Sequence, residues 1–111
     1  MDNDIQSWLY DILTSIGEIE SFFNQGEKIF ENYQKDIKTK RAVERNIEII
    51  GEAVKRILDT DEDVDLTNAR RIVDTRNRII HGYDTVSDDV IWGIIVRHLP
   101  KLKEEIEDMI K

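Results

Sequence analysis

The sequence predicts an all-α protein, an up-and-down bundle of four to five helices. Three observations carry this. Apolar residues recur at intervals of three and four along almost the whole chain, the period of a half-buried helix. Charged residues make up 36% of the chain and hydrophobic ones 40%, a mix that gives each helix one wet and one dry face. A single proline and mostly short connections leave little to interrupt the helices or to hold them apart.

Ile5, Trp8, Leu9, Ile12, Ile16, Ile19, Phe22 and Phe23 form one stripe, which predicts a first helix over roughly residues 3 to 24. A short piece follows, with Ile29, Phe30 and Tyr33 facing inward. A long helix is expected from about Thr39 to Leu58, with Ala42, Val43, Ile47, Ile50, Ala53, Val54 and Ile57 on its dry side. Asn46 falls among them. A buried amide needs partners, and either Arg76, the backbone near His81 or a register-fixing role accounts for it. The acidic stretch Asp59 to Asp65 ends this helix.

A third long helix runs from about Thr67 to Ile80 or His81, with Gly82 as a natural stop. Ser87 is placed to cap the last helix, and Asp88 and Asp89 suit its positive end. Val90, Ile91, Trp92, Ile94, Ile95 and Val96 read as apolar nearly all round, so this stretch is expected inside the bundle or against a second copy, as in a homodimer. Pro100 should kink the helix or restart it. Leu102, Ile106, Met109 and Ile110 continue a one-sided stripe.

With 111 residues the chain reads as one domain, residues 1–111, able to bury about two thirds of its unfolded surface. No run approaches the roughly 18 apolar residues of a membrane span, and no basic-then-apolar leader is seen. The absence of cysteine rules out disulfides and thiolate metal sites and suits a cytoplasmic protein. Gly17, Gly26, Gly51, Gly82 and Gly93 are scattered, so there is no glycine-rich phosphate cradle. Neither paired carboxylates nor a metal-binding histidine spacing is present, so no metal and no cofactor is expected.

The net charge of −8 argues against nucleic acid as a partner. Basic residues nevertheless cluster locally: Lys38, Lys40, Arg41 and Arg45 at one helix start, Arg70, Arg71, Arg76 and Arg78 on another helix. The acid gathers at residues 59–65 and 104–108.

The most informative stretch is Arg76-Asn77-Arg78-Ile79-Ile80-His81-Gly82-Tyr83. On a wheel of about 100° per residue, Ala69, Val73 and Ile80 fall within roughly 60° of Arg76 on one side, and Ile72 and Ile79 on the other. Arg76 thus lies along the dry stripe, where a guanidinium needs a carboxylate, carbonyls or an opening onto an anionic ligand. Asp74 and Glu48 are available to pair with arginines. Asn77 and His81 stand one turn apart on its flank.

Guanidinium grips phosphate oxygens through a rigid fork, and imidazole titrates near neutral pH. This combination suits RNA cleavage by internal transfer. The 2′-hydroxyl attacks the adjacent phosphate, a base takes its proton, an acid protonates the departing 5′-oxygen, and a cation steadies the phosphorane. One such histidine per chain is thin for both proton roles, so two motifs across a two-fold axis would make a fuller site. The bland alternative is a salt bridge beside a surface histidine. His98 reads as surface or interface.

Arg76, four residues, His81, one residue and Tyr83 resembles the signature of HepT-type toxins, a branch of the HEPN helical domains. Arg41-Ala-Val-Glu-Arg-Asn-Ile-Glu-Ile-Ile-Gly-Glu-Ala-Val-Lys-Arg56 is similar to a helix of that family. Ile91-Trp92, followed by Leu99-Pro100-Lys-Leu-Lys-Glu-Glu-Ile106, is similar to its closing helix. The resemblance covers nearly the whole chain.

It implies a HEPN-like homodimer with a metal-independent ribonuclease site in the cleft between protomers. Arg76 and His81 would be catalytic and Asn77 supporting, with RNA as substrate. It also implies a toxin–antitoxin system whose MntA-like nucleotidyltransferase antitoxin attaches AMP to Tyr83. An anionic adduct there would compete with substrate phosphate for Arg76. A non-catalytic HEPN subunit that docks and assists a nucleotidyltransferase is the alternative, favoured by the net charge and by Asp84 beside the motif. A helical dimer whose motif only stabilises the interface is a third reading.

Overall fold

A computed structural model describes residues 2–23, 28–66, 69–82 and 86–111. The described elements are all helical, as the periodicity predicts. They are α1 (Asn3–Ser21), α2 (Phe30–Lys35), α3 (Ile37–Thr60), α4 (Ala69–Ile80), α5 (Asp88–Gly93), a π-helical turn (Ile94–His98) and α6 (Leu99–Met109). The last three follow one another without a break, so the chain reads as four long helical segments and the short α2. At 41 × 32 × 18 Å the molecule has room across its thin dimension for about two layers of helices.

Helix ends follow local chemistry. The Asp2 carboxylate accepts from the Asp4 and Ile5 amides at 2.7 and 3.2 Å and starts α1. Asp36 does the same for α3, accepting from the Thr39 amide at 3.1 Å and from its hydroxyl at 2.7 Å. This cap sets the start at Ile37 rather than Thr39. The same bonds hold the Asp36 carboxyl below the usual carboxylate range. Ser87 caps α5 through the Val90 amide, as expected. Gly82 closes α4 with φ of 68°, a left-handed conformation natural to glycine, and its amide donates to the Ile79 carbonyl at 3.1 Å.

α3 is the central strut. It packs against α1 on one side and α4 on another, while α6 also reaches α1. Leu9, Ile12, Ile16, Ile47, Ile50, Val54, Ile57, Ile72, Ile91, Leu102 and Ile106 form the heart of the core. Trp92 sits among Phe23, Phe30 and Tyr33, with ring centroids 5.3–5.7 Å from its own, and so ties the short α2 to α5. Tyr33 carries its hydroxyl into this cluster without a hydrogen-bond partner among the described residues, and burial pushes its pKa up.

Three expectations need correction. Ile29 does not face inward; it precedes α2 and is 43% exposed. The 90–96 stretch is one-sided: Ile91, Ile94 and Ile95 are buried, but Val90 and Val96 are 38% and 37% exposed. Val90, Gly93 and Arg97 recur at helical spacing and make an ordinary outer stripe, so this segment does not itself demand a second chain. Asn46 is buried, but its amide donates to the Ala42 carbonyl one turn back at 3.0 Å, and its own oxygen lacks a partner among the described residues. Neither Arg76 nor the His81 backbone serves it.

Pro100 acts as predicted. It has no N–H for the Val96 carbonyl, and its ring would crowd that carbonyl in a regular α-helix. The chain widens instead into the π turn just before it, where the Leu99 amide reaches back to Ile94, and α6 starts with Pro100 in its first turn. None of the described helices is long and apolar enough to cross a membrane.

Candidate active site

α1 and α4 both lean on α3, and residues from all three line a cleft of about 370 Å³. α3 supplies Arg45, Glu48, Ile49, Glu52, Ala53 and Arg56, whose spacing puts them on one face of the helix. α1 contributes Trp8 and Asp11, and α4 contributes Arg76 and Ile80. Three arginines meet three carboxylates, so the cleft combines strong local fields with formal neutrality.

Arg76 opens onto this cleft with its side chain 19% exposed. Its guanidinium is held at two points. One terminal nitrogen donates to Asn77 Oδ1 at 2.7 Å, and the other makes a short ion pair with Glu52. Glu52 also accepts from Arg56 Nε at 3.1 Å, one turn along α3. Arg45 and Glu48 pair at 3.2 Å beside them. A guanidinium has five N–H donors, so two anchoring bonds orient the fork and leave further donors for a ligand.

The backbones approach closely here. A Cβ on Gly51 would lie 2.5 Å from Arg76 Cβ and 2.8 Å from its Cγ. Only glycine at this point of α3 lets α4 come near enough to deliver Arg76 to Glu52. The buried face of α4 is also turned from the predicted stripe. Ala69, Ile72 and Thr75 are buried, while Ile80 is 46% exposed on the cleft side. That rotation moves Arg76 from the middle of the dry face to its edge.

The structure brings Arg76 and Asn77 together at the cleft, with His81 one turn beyond Asn77 and outside the cleft lining. His81 follows α4, exposed, with its amide donating to the Asn77 carbonyl at 3.1 Å, and it is not among the described residues that line the cleft. Arginine and histidine five apart diverge by about 140° around a helix. Tyr83 and Asp84 lie outside the described residues. His98 is half-buried; desolvation first, then Arg71, Arg97 and Lys101, lower its pKa. Of the carboxylates expected to pair with arginines, Glu48 does so with Arg45. Among the described residues no three His, Asp or Glu side chains group as a metal site.

Glu52 is a site residue that lies outside the motif and was not expected there. Its signal was present: Arg45, Glu48, Glu52 and Arg56 are spaced three, four and four apart, a charged row on one face of an otherwise amphipathic helix.

Comparison with known proteins places the chain. The sequence profile of the family described as ribonuclease HepT-like matches residues 12–109. A protein of Methanocaldococcus jannaschii, named as a candidate RNase, is 35% identical over 97% of this chain and 88% of its own length. One from Thermococcus cleftensis, named as a probable ribonuclease HepT, is 34% identical over the whole of both chains. A candidate RNase of Caldanaerobacter subterraneus is 32% identical over 74% of each. No solved structure matches the chain at a significant level.

Proposed function

Because this chain belongs to the HepT-like ribonuclease family, we propose that it is a metal-independent endoribonuclease, the toxin of a toxin–antitoxin pair. The observation that carries the reading is Arg76, anchored by Asn77 and Glu52 at the wall of an open cleft.

The reaction is internal transfer. The ribose 2′-oxygen bonds to phosphorus as its proton passes to a base. The bond to the 5′-oxygen breaks as an acid protonates that oxygen, leaving a 2′,3′-cyclic phosphate and a 5′-hydroxyl. Arg76 carries charge where it grows on the phosphorane. His81 supplies a proton donor or acceptor. Its position off the Arg76 cleft supports a homodimeric site, in which two copies of the motif meet across a two-fold axis and each completes the other.

Control is proposed to act at Tyr83. Its phenol oxygen attacks the α-phosphorus of ATP on an MntA-like nucleotidyltransferase antitoxin; pyrophosphate leaves and the phenol proton passes to a base. The added AMP carries a phosphodiester anion that competes for Arg76.

Expression in a bacterial host tests the reading. The parent should arrest growth, and Arg76→Ala or His81→Ala should each relieve the arrest with the protein still folded. Tyr83→Phe should stay toxic and escape the antitoxin, with AMP found by intact mass on the parent only. Growth arrest by both alanine variants at the parent's level would overturn the site.

One observation favours a second reading. Glu52 already occupies part of the Arg76 fork and the cleft is formally neutral. Both suit a subunit that binds a nucleotide for a partner nucleotidyltransferase without cutting RNA. Cleavage by purified protein in EDTA separates the two.

A further inference from the structure

Part of the Arg76 cleft is apolar. Trp8, half-buried on α1, lines it together with Ile49 and Ala53 of α3 and Ile80 of α4. Ile80 is a large apolar side chain left 46% exposed, so a hydrophobic wall faces water there. A site made for a bare phosphate needs only the polar half.

An indole and aliphatic side chains next to an oriented guanidinium instead match the two ends of a nucleotide: a flat, weakly hydrated base and an anionic phosphate. The volume of about 370 Å³ falls within the usual range of small-ligand pockets. Bases in single-stranded RNA are recognised largely by stacking on aromatic side chains, and every base has a face to offer.

We propose that this cleft holds a whole nucleotide of the RNA, its base stacked on the Trp8 indole and its phosphate on Arg76. The assignment rests on the ribonuclease reading for the source of the nucleotide. It makes Trp8 a substrate-contacting residue from a helix outside the signature motif. It also explains how a chain of net charge −8 takes up RNA: stacking supplies affinity that salt does not screen, in place of a broad basic surface.

The chain has two tryptophans, Trp8 and Trp92, so Trp92→Phe leaves Trp8 as the only indole reporter. A short 2′-O-methyl oligoribonucleotide, which lacks the attacking hydroxyl, should quench its fluorescence saturably. The quench should weaken when Arg76→Ala is added. In the otherwise unchanged chain, Trp8→Ala should lower kcat/KM for RNA by about tenfold or more, the equivalent of one lost stack, and Trp8→Phe should retain most of it. Folding of each variant is checked by circular dichroism; if Trp92→Phe fails to fold, the comparison of Trp8→Phe with Trp8→Ala decides. A folded Trp8→Ala that cuts RNA like the parent overturns the subsite and leaves the nuclease standing. Saturable quenching by a protein that cuts no RNA sustains the subsite and overturns the nuclease.

Discussion

Gly51 and Arg76 touch across the α3–α4 seam so closely that a single added carbon on Gly51 would fall 2.5 Å from Arg76 Cβ. The neighbouring atoms belong to the root of the arginine, not its flexible tip, so relief requires the helices to part. Gly51→Ala should destabilise by about 1–3 kcal/mol from overpacking, partly offset by the roughly 1 kcal/mol that alanine gains over glycine within a helix. Gly17 is the control: nothing lies within 4 Å of its Cβ position in α1, so Gly17→Ala should stabilise by up to about 1 kcal/mol. Urea unfolding of both variants checks the pair. Equal effects at the two sites would show that the seam has slack.

Glu52 both orients Arg76 and competes with phosphate for it. Glu52→Gln keeps the shape and removes the competing charge. It should tighten binding of the uncleavable oligoribonucleotide several-fold at low salt, with a stability loss of about 1 kcal/mol or less, since both side chains are partly exposed. A fluorescence titration against salt reads this. Weaker binding at every salt concentration would mean that orientation outweighs competition.

Tyr33 buries a hydroxyl with no partner among the described residues. Deleting it removes a desolvation cost and no hydrogen bond, so Tyr33→Phe should be neutral or stabilise by up to about 1 kcal/mol. A thermal melt well below the parent's would point to an unseen partner.

His98 has its pKa lowered by desolvation and by Arg71, Arg97 and Lys101. The folded state therefore binds fewer protons than the unfolded chain. Stability is full above the unfolded value near 6.5 and falls as pH drops through the lower folded value. His98→Gln cannot titrate, so it should lose less stability than the parent between pH 7.5 and 5.5 in urea melts. An equal loss in both chains would rule out this histidine as the cause.

Much of the architecture was legible because it follows from spacing and capping. The stripes of α1 and α3, the Ser87 cap, the Gly82 stop and the π-helical turn ahead of Pro100 are local properties of the chain. What the sequence concealed depends on how helices rotate and approach. The turn of α4 about its own axis, set by packing on α3, decides that Arg76 lies at an edge and that Ile80 lines a cleft. Glu52 emerged as the partner of Arg76 only once Gly51 brought α4 to that level of α3. Ile29 reads as core by its type, yet it precedes α2 and nothing covers it fully. Asn46 found the cheapest partner, its own helix.

The most direct measurement is RNA cleavage by purified protein in excess EDTA, comparing the parent with Arg76→Ala and with Arg76→Ala/His81→Ala. The parent should release fragments ending in 2′,3′-cyclic phosphate. Either variant, still helical by circular dichroism, should be slower by at least about a hundredfold, the scale of losing one transition-state charge contact. Undiminished cleavage by the double variant would contradict the account.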